Sequence, residues 1–307
     1  MNFYRNNFTG SSKVIPKNVH TDLSQTYEVS AEQRQFYHDK GFLLIKDLID
    51  FESLYNYKKR FVQVCNGLVE MGGMYIVKEP SLVDKKRKPE EYINKLNDVF
   101  YDEVFATYVE HPRLLDVLSQ FIGDHITAVN AMVINKPPGT DRHPPHQDLF
   151  YFPMRPADKI IAAWTAVDHV DIDNGCLYVI PGSHKDNRIY EHGDVGITKK
   201  MYHGILNEEA LAPESKRVHL EMSPGDTVFF HPLLIHGSGP NVSKNYRKSM
   251  TCHFASSSCH YVSAQGTVQE HLAREIEREA KRRGFDVSFQ EAWEYRSKQV
   301  KGVRSNL

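Results

Sequence analysis

His146, Asp148 and His236 are of the types, and in the spacing, that can hold one divalent metal ion. A mononuclear iron oxygenase needs two imidazoles and one carboxylate on a single face of an octahedron, so that the remaining positions stay open for cosubstrate and oxygen. In a strand or at its end, residues i and i+2 project to one side. His146 and Asp148 in PPHQDLFY can therefore grip the same ion, while a remote strand, DTVFFHPLLIH, brings His236 at its end. Spacing alone is weak evidence in a chain with 16 histidines. It recurs at His20-Thr21-Asp22 in a polar N-terminal stretch and at His192-Gly193-Asp194 in a glycine-containing loop; of these, only His146-Gln147-Asp148 follows a strong strand and precedes several more. The same donors suit catalytic zinc. A lone histidine is ordinarily a packing or hydrogen-bonding residue, and His184 in PGSHK and His231 in FFHPLL are read that way.

Arg247, in NYRKSMTCHF, separates these readings. Its planar guanidinium takes a carboxylate in two parallel charge-assisted hydrogen bonds. It lies eleven residues beyond His236, and the intervening loop GPNVSKN lets its strand return alongside the one that ends at His236. That places the guanidinium near the metal at the depth of a five-carbon diacid. The arrangement suits 2-oxoglutarate, with its C1 carboxylate and C2 ketone on iron and its C5 carboxylate on Arg247. Neither a zinc hydrolase nor a non-catalytic β-sandwich binding module needs such a clamp.

These residues have to be positioned by strands. Ser30 can cap a helix, SAEQRQFYHDK, with Gln33 at the capping-box position and Gly41 as its stop; FLLIK then reads as a buried strand. Helices are expected from Phe51 to Met71, from Pro89 to His111 and from Pro112 to Phe121, the last two opening on proline. From Ile126 the pattern changes to short apolar or alternating runs: ITAVNAMVINK, KIIAAWTAVDHV, CLYVIPGSH, RVHLEM, DTVFFHPLLIH and KSMTCHFAS. The turn Ser223-Pro224-Gly225-Asp226 favours antiparallel connections. Two charged helices, from about Val268 to Arg283 and from about Phe289 to Gln299, close the chain. The expected fold is mainly β with flanking helices: a double-stranded β-helix (jelly roll, cupin-like) buttressed by α-helices. Residues 1–29 form a polar arm. Residues 30–307 form one domain, with a helical part over about 30–124, a jelly-roll core over about 125–264 and C-terminal helices over about 265–307.

The segments INKPPGTDRHPPHQDLFYFPMRP, AAWTAVDH, NGCLYVIPGSHK, GDTVFFHPLLIHGSGPN and NYRKSMTCHFAS resemble the phytanoyl-CoA hydroxylase (phytanoyl-CoA dioxygenase) family, and the similarity runs from about Ser30 to the C-terminus. The resemblance implies iron(II), 2-oxoglutarate, ascorbate and O2, with 2-hydroxylation of phytanoyl-CoA and related 3-methyl-branched or long-chain acyl-CoA substrates in fatty-acid α-oxidation. It implies His146, Asp148 and His236 as iron ligands and Arg247 and Ser238 as partners of the C5 carboxylate. Met132, Gln147, Trp164 and Lys95 carry over as cosubstrate-pocket residues. Read from the residues alone, Met132 and Trp164 lie in apolar runs that suit a core, Gln147 alternates with two ligands, and Lys95 sits in an expected helix where a solvated lysine is the default. Halide-transferring relatives have a small residue where Asp148 stands, so the carboxylate points to hydroxylation. A same-fold dioxygenase acting on a small amino acid or alkaloid is the nearest alternative.

A net charge of −1 gives no global attraction to nucleic acid or anionic membrane. Cys65, Cys176, Cys252 and Cys259 form no CxxC pair, against a disulfide framework and a cysteine zinc site. The N-terminus lacks an apolar signal segment, and no apolar run approaches a membrane span. The basic run Lys85-Lys86-Arg87-Lys88 could meet coenzyme A phosphates, although a solvated loop is the commoner role. The family's cleavable N-terminal peroxisomal presequence has no match in the first 30 residues. Recognition by a peroxisomal import receptor would then rest on Ser305-Asn306-Leu307, which resembles Ser-Lys-Leu without its basic middle residue; the alternative location is the cytoplasm.

Overall fold

The computed structural model describes residues 26–84, 86–196 and 203–303. Helix α1 (Ala31–Lys40) begins with the expected capping box: the Ser30 hydroxyl accepts the Gln33 amide, and the Gln33 side chain accepts the Ser30 amide. It stops at Gly41, whose φ of 80° suits glycine. Strand β1 (Phe42–Ile45), helix α2 (Phe51–Cys65), strands β2 (Tyr75–Lys78) and β3 (Ile93–Asn97), and helices α3 (Glu103–Val109) and α4 (Pro112–Ile122) follow. The helix expected over 89–111 is therefore mostly absent. Pro89 opens a single 3-10 turn, and INKLN forms β3. Ile93 and Leu96 mimic a helical i, i+3 pair because a register shift against β2 leaves Asn94 as an extra residue, so that both apolar side chains join the core facing the helices.

The chain continues through β4 (Ile126–Lys136), β5 (His143–His146), β6 (Met154–Arg155), β7 (Ile160–Ala166), β8 (Leu177–Val179), β9 (His192–Asp194), β10 (His203–Ile205), helix α5 (Glu208–Leu211), β11 (Val218–Leu220), β12 (Thr227–Phe230), β13 (His236–Ser238), β14 (Arg247–Ser256) and β15 (His260–Tyr261). Helices α6 (Glu270–Arg282) and α7 (Phe289–Tyr295) and strand β16 (Ser297–Lys301) end the described chain.

Eight strands form a major sheet in the order β1-β12-β7-β14-β4-β3-β2, with β16 also on β4; four form a minor sheet, β11-β8-β13-β5. The pairings are antiparallel. The turn at 223–226 carries the chain from the minor sheet to the major one, so β11 and β12 are not hairpin partners. Strands β1, β2 and β3 from the N-terminal part and β16 from the C-terminal part complete the major sheet. The long β4 would otherwise present open backbone along one edge. That edge is covered by β3 over Met132–Ile134 and by β16 over Ile126–Val129.

Alternation along the major sheet separates two cores. One face of β14, with Met250, Cys252 and Phe254, packs on Tyr57, Phe61 and Tyr108 of the helical layer. On the other face, Trp164 of β7 and Val228 and Phe230 of β12 meet Leu177, Val179 and Leu220 of the minor sheet. The four cysteines are buried and unbridged. Among the described residues, no helix is long and apolar enough to cross a membrane.

Candidate functional site

His146 ends β5 and His236 begins β13, and the two strands pair so that these residues lie directly opposite one another. Asp148 lies just past β5, at the start of a 3-10 turn (Asp148–Tyr151). One ligand atom from each of the three falls within 4.8 Å of the others, and all three residues are buried. The Nδ1–H of His146 donates to the Pro144 carbonyl at 2.9 Å and that of His236 to the Leu234 carbonyl at 3.0 Å. Each ring therefore turns an Nε2 lone pair toward the shared space, the tautomer a metal ligand requires. Burial pushes the His236 imidazole down to about 4, so it is neutral near pH 7. Burial raises Asp148, but His236, His253 and His146 outweigh it and hold the carboxyl well below its ordinary value. Two imidazole nitrogens beside one ionised carboxylate form a donor set that fits iron(II).

Arg247 corrects the expected topology. It opens β14 in the major sheet, whereas His236 belongs to the minor sheet, so the loop at 239–246 crosses between sheets and does not return alongside the same strand. The two sheets still bring the residues near each other. Ser238, two positions along β13 from His236, accepts a hydrogen bond from the Lys136 ammonium at 3.0 Å, and Lys136 is the register partner of Arg247. Arg247 donates from Nη2 to the Gly175 carbonyl at 2.8 Å and lies over the Trp164 ring at 5.3 Å. Gly175, at φ 84°, has no room for a side chain: a Cβ would sit 2.6 Å from the Gly239 carbonyl. Burial and the Arg247 charge lower Lys136 well below the usual lysine value.

Register places the other expected pocket residues. Directly opposed residues of an antiparallel sheet share a face. Met132, Thr251 and Trp164 form one row, with Asn97 beside Met132; Lys95, Ile134, Ser249 and Ala166 form the next. Lys95 is thus a strand residue on the same face as Arg247. Burial brings its amine down to about 8, partly offset by the Asp148 charge.

The Gln147 side chain is not brought into this group. Fully buried, it donates to the Arg188 and Leu233 carbonyls at 3.1 and 2.9 Å and accepts the Tyr190 amide at 2.8 Å. Alternation between two ligands turns it to the opposite side, where it ties down the loop before β9. His192 serves the same loop, since its Nδ1–H donates to the Tyr190 carbonyl and its Nε2 accepts the Gln147 amide. His169-Val170-Asp171 and His184-Lys185-Asp186 share the His-x-Asp spacing as well; His169 is exposed beside Asp171, and His184 bonds the His38 carbonyl and packs on His231. His20-Thr21-Asp22, Lys85 and Ser305-Asn306-Leu307 lie outside the described residues, and Lys86, Arg87 and Lys88 are exposed.

Two residues of the site escaped sequence reasoning. Lys136 reads as the charged end of a strand, and its role depends on a partner in the opposite sheet. His253 bonds Asp148 at 2.7 Å. Its even spacing from Arg247 along β14 was the available signal.

Comparison with known proteins supplies the family. The family model described as phytanoyl-CoA dioxygenase (PhyH) matches residues 37–249, more than half of the chain. The rat protein named phytanoyl-CoA dioxygenase, peroxisomal, is 43% identical over 290 residues, covering 91% of this chain and 85% of its own length. A Caenorhabditis elegans protein named probable phytanoyl-CoA dioxygenase is 42% identical over 301 residues, covering 91% and 95%. EctD from S. alaskensis, solved with 2-oxoglutarate and 5-hydroxyectoine, shares the fold at a TM-score of 0.61 and 19% identity, over 76% of this chain and 78% of that one. A family match over more than half of the chain, with relatives at 43% and 42% identity over 91% of it, has one reading: the chain belongs to the phytanoyl-CoA dioxygenase family.

Proposed function

We propose that this chain is an iron(II)- and 2-oxoglutarate-dependent oxygenase that hydroxylates C2 of phytanoyl-CoA and related 3-methyl-branched or long-chain acyl-CoA thioesters, with succinate and CO2 as coproducts. The observation that carries the reading is the pairing of a buried His146-Asp148-His236 group with a buried Arg247 across one inter-sheet space, in a chain whose named relatives act on phytanoyl-CoA. When bound, iron(II) and 2-oxoglutarate supply the activation of dioxygen that a C–H hydroxylation needs. The chain's own residues bind, orient and exclude water. His146 and His236 present fixed Nε2 lone pairs and Asp148 a fixed charge, while Arg247 and Ser238 take the C5 carboxylate with Trp164 and Met132 beside it, and Lys95 adds positive charge on the same face. Outward from this point the site-facing rows run through Met132 and Ile134 to Tyr75 and Val77. These half-buried apolar side chains supply a floor for an acyl chain. A requirement for ascorbate belongs to the same proposal, as the reductant that keeps iron in its ferrous form.

The test is turnover of labelled 2-oxoglutarate with iron(II) and ascorbate across a panel of acyl-CoAs, with succinate and hydroxylated product counted together. Phytanoyl-CoA should gain one oxygen per succinate. Phytanic acid, which lacks the coenzyme A head whose binding helps position the reacting carbon, should give little product and mostly uncoupled decay. Equal hydroxylation of the free acid, or oxygen transfer only to a small amino acid, would overturn the substrate. Turnover with zinc but not iron would overturn the chemistry.

The proposed location is the peroxisome, following the relatives so named and the terminal Ser305-Asn306-Leu307 as the import-receptor address. A reporter carrying the last dozen residues should become punctate. A diffuse reporter, with no redistribution of the full chain after deletion of the tripeptide, would sink the address.

A further inference from the structure

His253 lies on β14, opposite Ala162 of β7. The register of β14 against β4 shifts here because β4 carries one extra residue, while β14 stays in regular register with β7, so His253 keeps the face of Thr251 and Arg247. The ring is buried and packs on Phe152 at 4.6 Å between centroids. Its Nε2 is 2.7 Å from Oδ2 of Asp148, while Oδ1 of the same carboxylate lies 3.4 Å from His146 Nε2 and 3.6 Å from His236 Nε2. The two carboxylate oxygens are therefore divided: one faces the imidazole pair, and the other is held by His253. Because a carboxylate oxygen accepts, the proton in this bond belongs to Nε2 of His253.

We propose that His253 is a positioning residue that keeps Asp148 a one-oxygen ligand. The inference rests on the oxygenase reading above. A carboxylate free to turn can take a metal ion through both oxygens. In an octahedron with three protein ligands and a chelating 2-oxo acid, a second carboxylate oxygen would occupy the position oxygen requires. The bond to Oδ2 removes that option without His253 touching the ion. Outer partners of this kind typically change metal affinity or activity by about 10–100-fold when lost.

The experiment uses the full chain in three forms: wild type, His253→Phe, which keeps a ring against Phe152 but removes the donor, and His253→Gln, whose amide N–H can replace it. Metal affinity is measured by competition with a chelator. Chelation is read from the visible charge-transfer band of the anaerobic iron(II)–2-oxoglutarate complex, and coupling from product formed per succinate. His253→Phe should bind iron within about tenfold of wild type yet show an altered band and a fall of about 10–100-fold in coupled turnover, and His253→Gln should restore the band and most of the turnover. An unchanged band and coupling in His253→Phe would overturn the positioning role, and so would equal damage in both variants. Absence of the band in wild type would instead sink the oxygenase reading. Should the phenylalanine variant fail to fold, His253→Leu carries the same comparison.

Discussion

The two ends of the site carry opposite electrostatic demands. At one end Asp148 is the single carboxylate among His146, His236 and His253, and its oxygens are divided between them. At the other end Arg247 and Lys136 are register partners, and burial together with the Arg247 charge depresses the Lys136 pKa. Like charges in a low-dielectric interior are costly until an anion joins them. The metal end is organised to receive a cation, and the clamp end offers a guanidinium to a carboxylate. A substitution at the first should therefore remove chemistry, and one at the second should remove cosubstrate affinity.

The sharpest way to break this comparison is at the metal end. Asp148→Ala or His236→Ala should reduce hydroxylation to background while the circular dichroism spectrum stays unchanged, because these ligands sit at the ends of short elements. Near-normal turnover with iron in either variant would refute the ligand assignment. At the clamp end, Arg247→Ala should weaken 2-oxoglutarate binding by about 2–5 kcal/mol, the range for losing one member of a buried hydrogen-bonded charge pair, and Arg247→Lys should be only partly tolerated. Titration of the anaerobic iron form measures this. An unchanged affinity would move the clamp to Lys136 or Lys95.

Gln147 sharpens the contrast because it separates architecture from binding. Gln147→Leu strands the Arg188 and Leu233 carbonyls and the Tyr190 amide, at a cost of about 1–3 kcal/mol for a buried group left unsatisfied. Urea unfolding should show that loss with little change in 2-oxoglutarate affinity, and the reverse pattern would restore Gln147 to the cosubstrate pocket. A separate effect is the acid sensitivity of the metal-free fold. Burial holds His236 down to about 4 and His192 to about 3, below the value near 6.5 of an unfolded histidine. As pH falls below about 6.5 the unfolded chain takes up protons that the folded chain refuses. Each histidine then removes up to about 1.4 kcal/mol of stability per pH unit until its folded value is reached. A urea midpoint that stays level between pH 7 and pH 5 would contradict the buried neutral state.

Features written in local chemistry are readable from the chain alone. The Ser30–Gln33 capping box and the stop at Gly41 lie within one helix, and the strand ITAVNAMVINK begins and ends where its pattern does. His146, Asp148, His236 and Arg247 were legible as residue types because few side chains can hold iron or a diacid. Tertiary structure decided everything that depends on pairing between distant strands. Lys95 was expected in a helix because the bulge at Asn94 gives a strand the i, i+3 spacing of helical periodicity, and only the flanking β2 and β4 ladders reveal the strand. Arg247 proved to belong to the sheet opposite His236, since loop length limits how far a chain can travel but not which sheet it joins. Lys136 and His253 acquire their roles from Ser238 and Asp148, each more than 100 positions away. Local rules fix dihedral angles and alternation, whereas the meeting of two distant side chains follows from sheet register, which the whole chain sets at once.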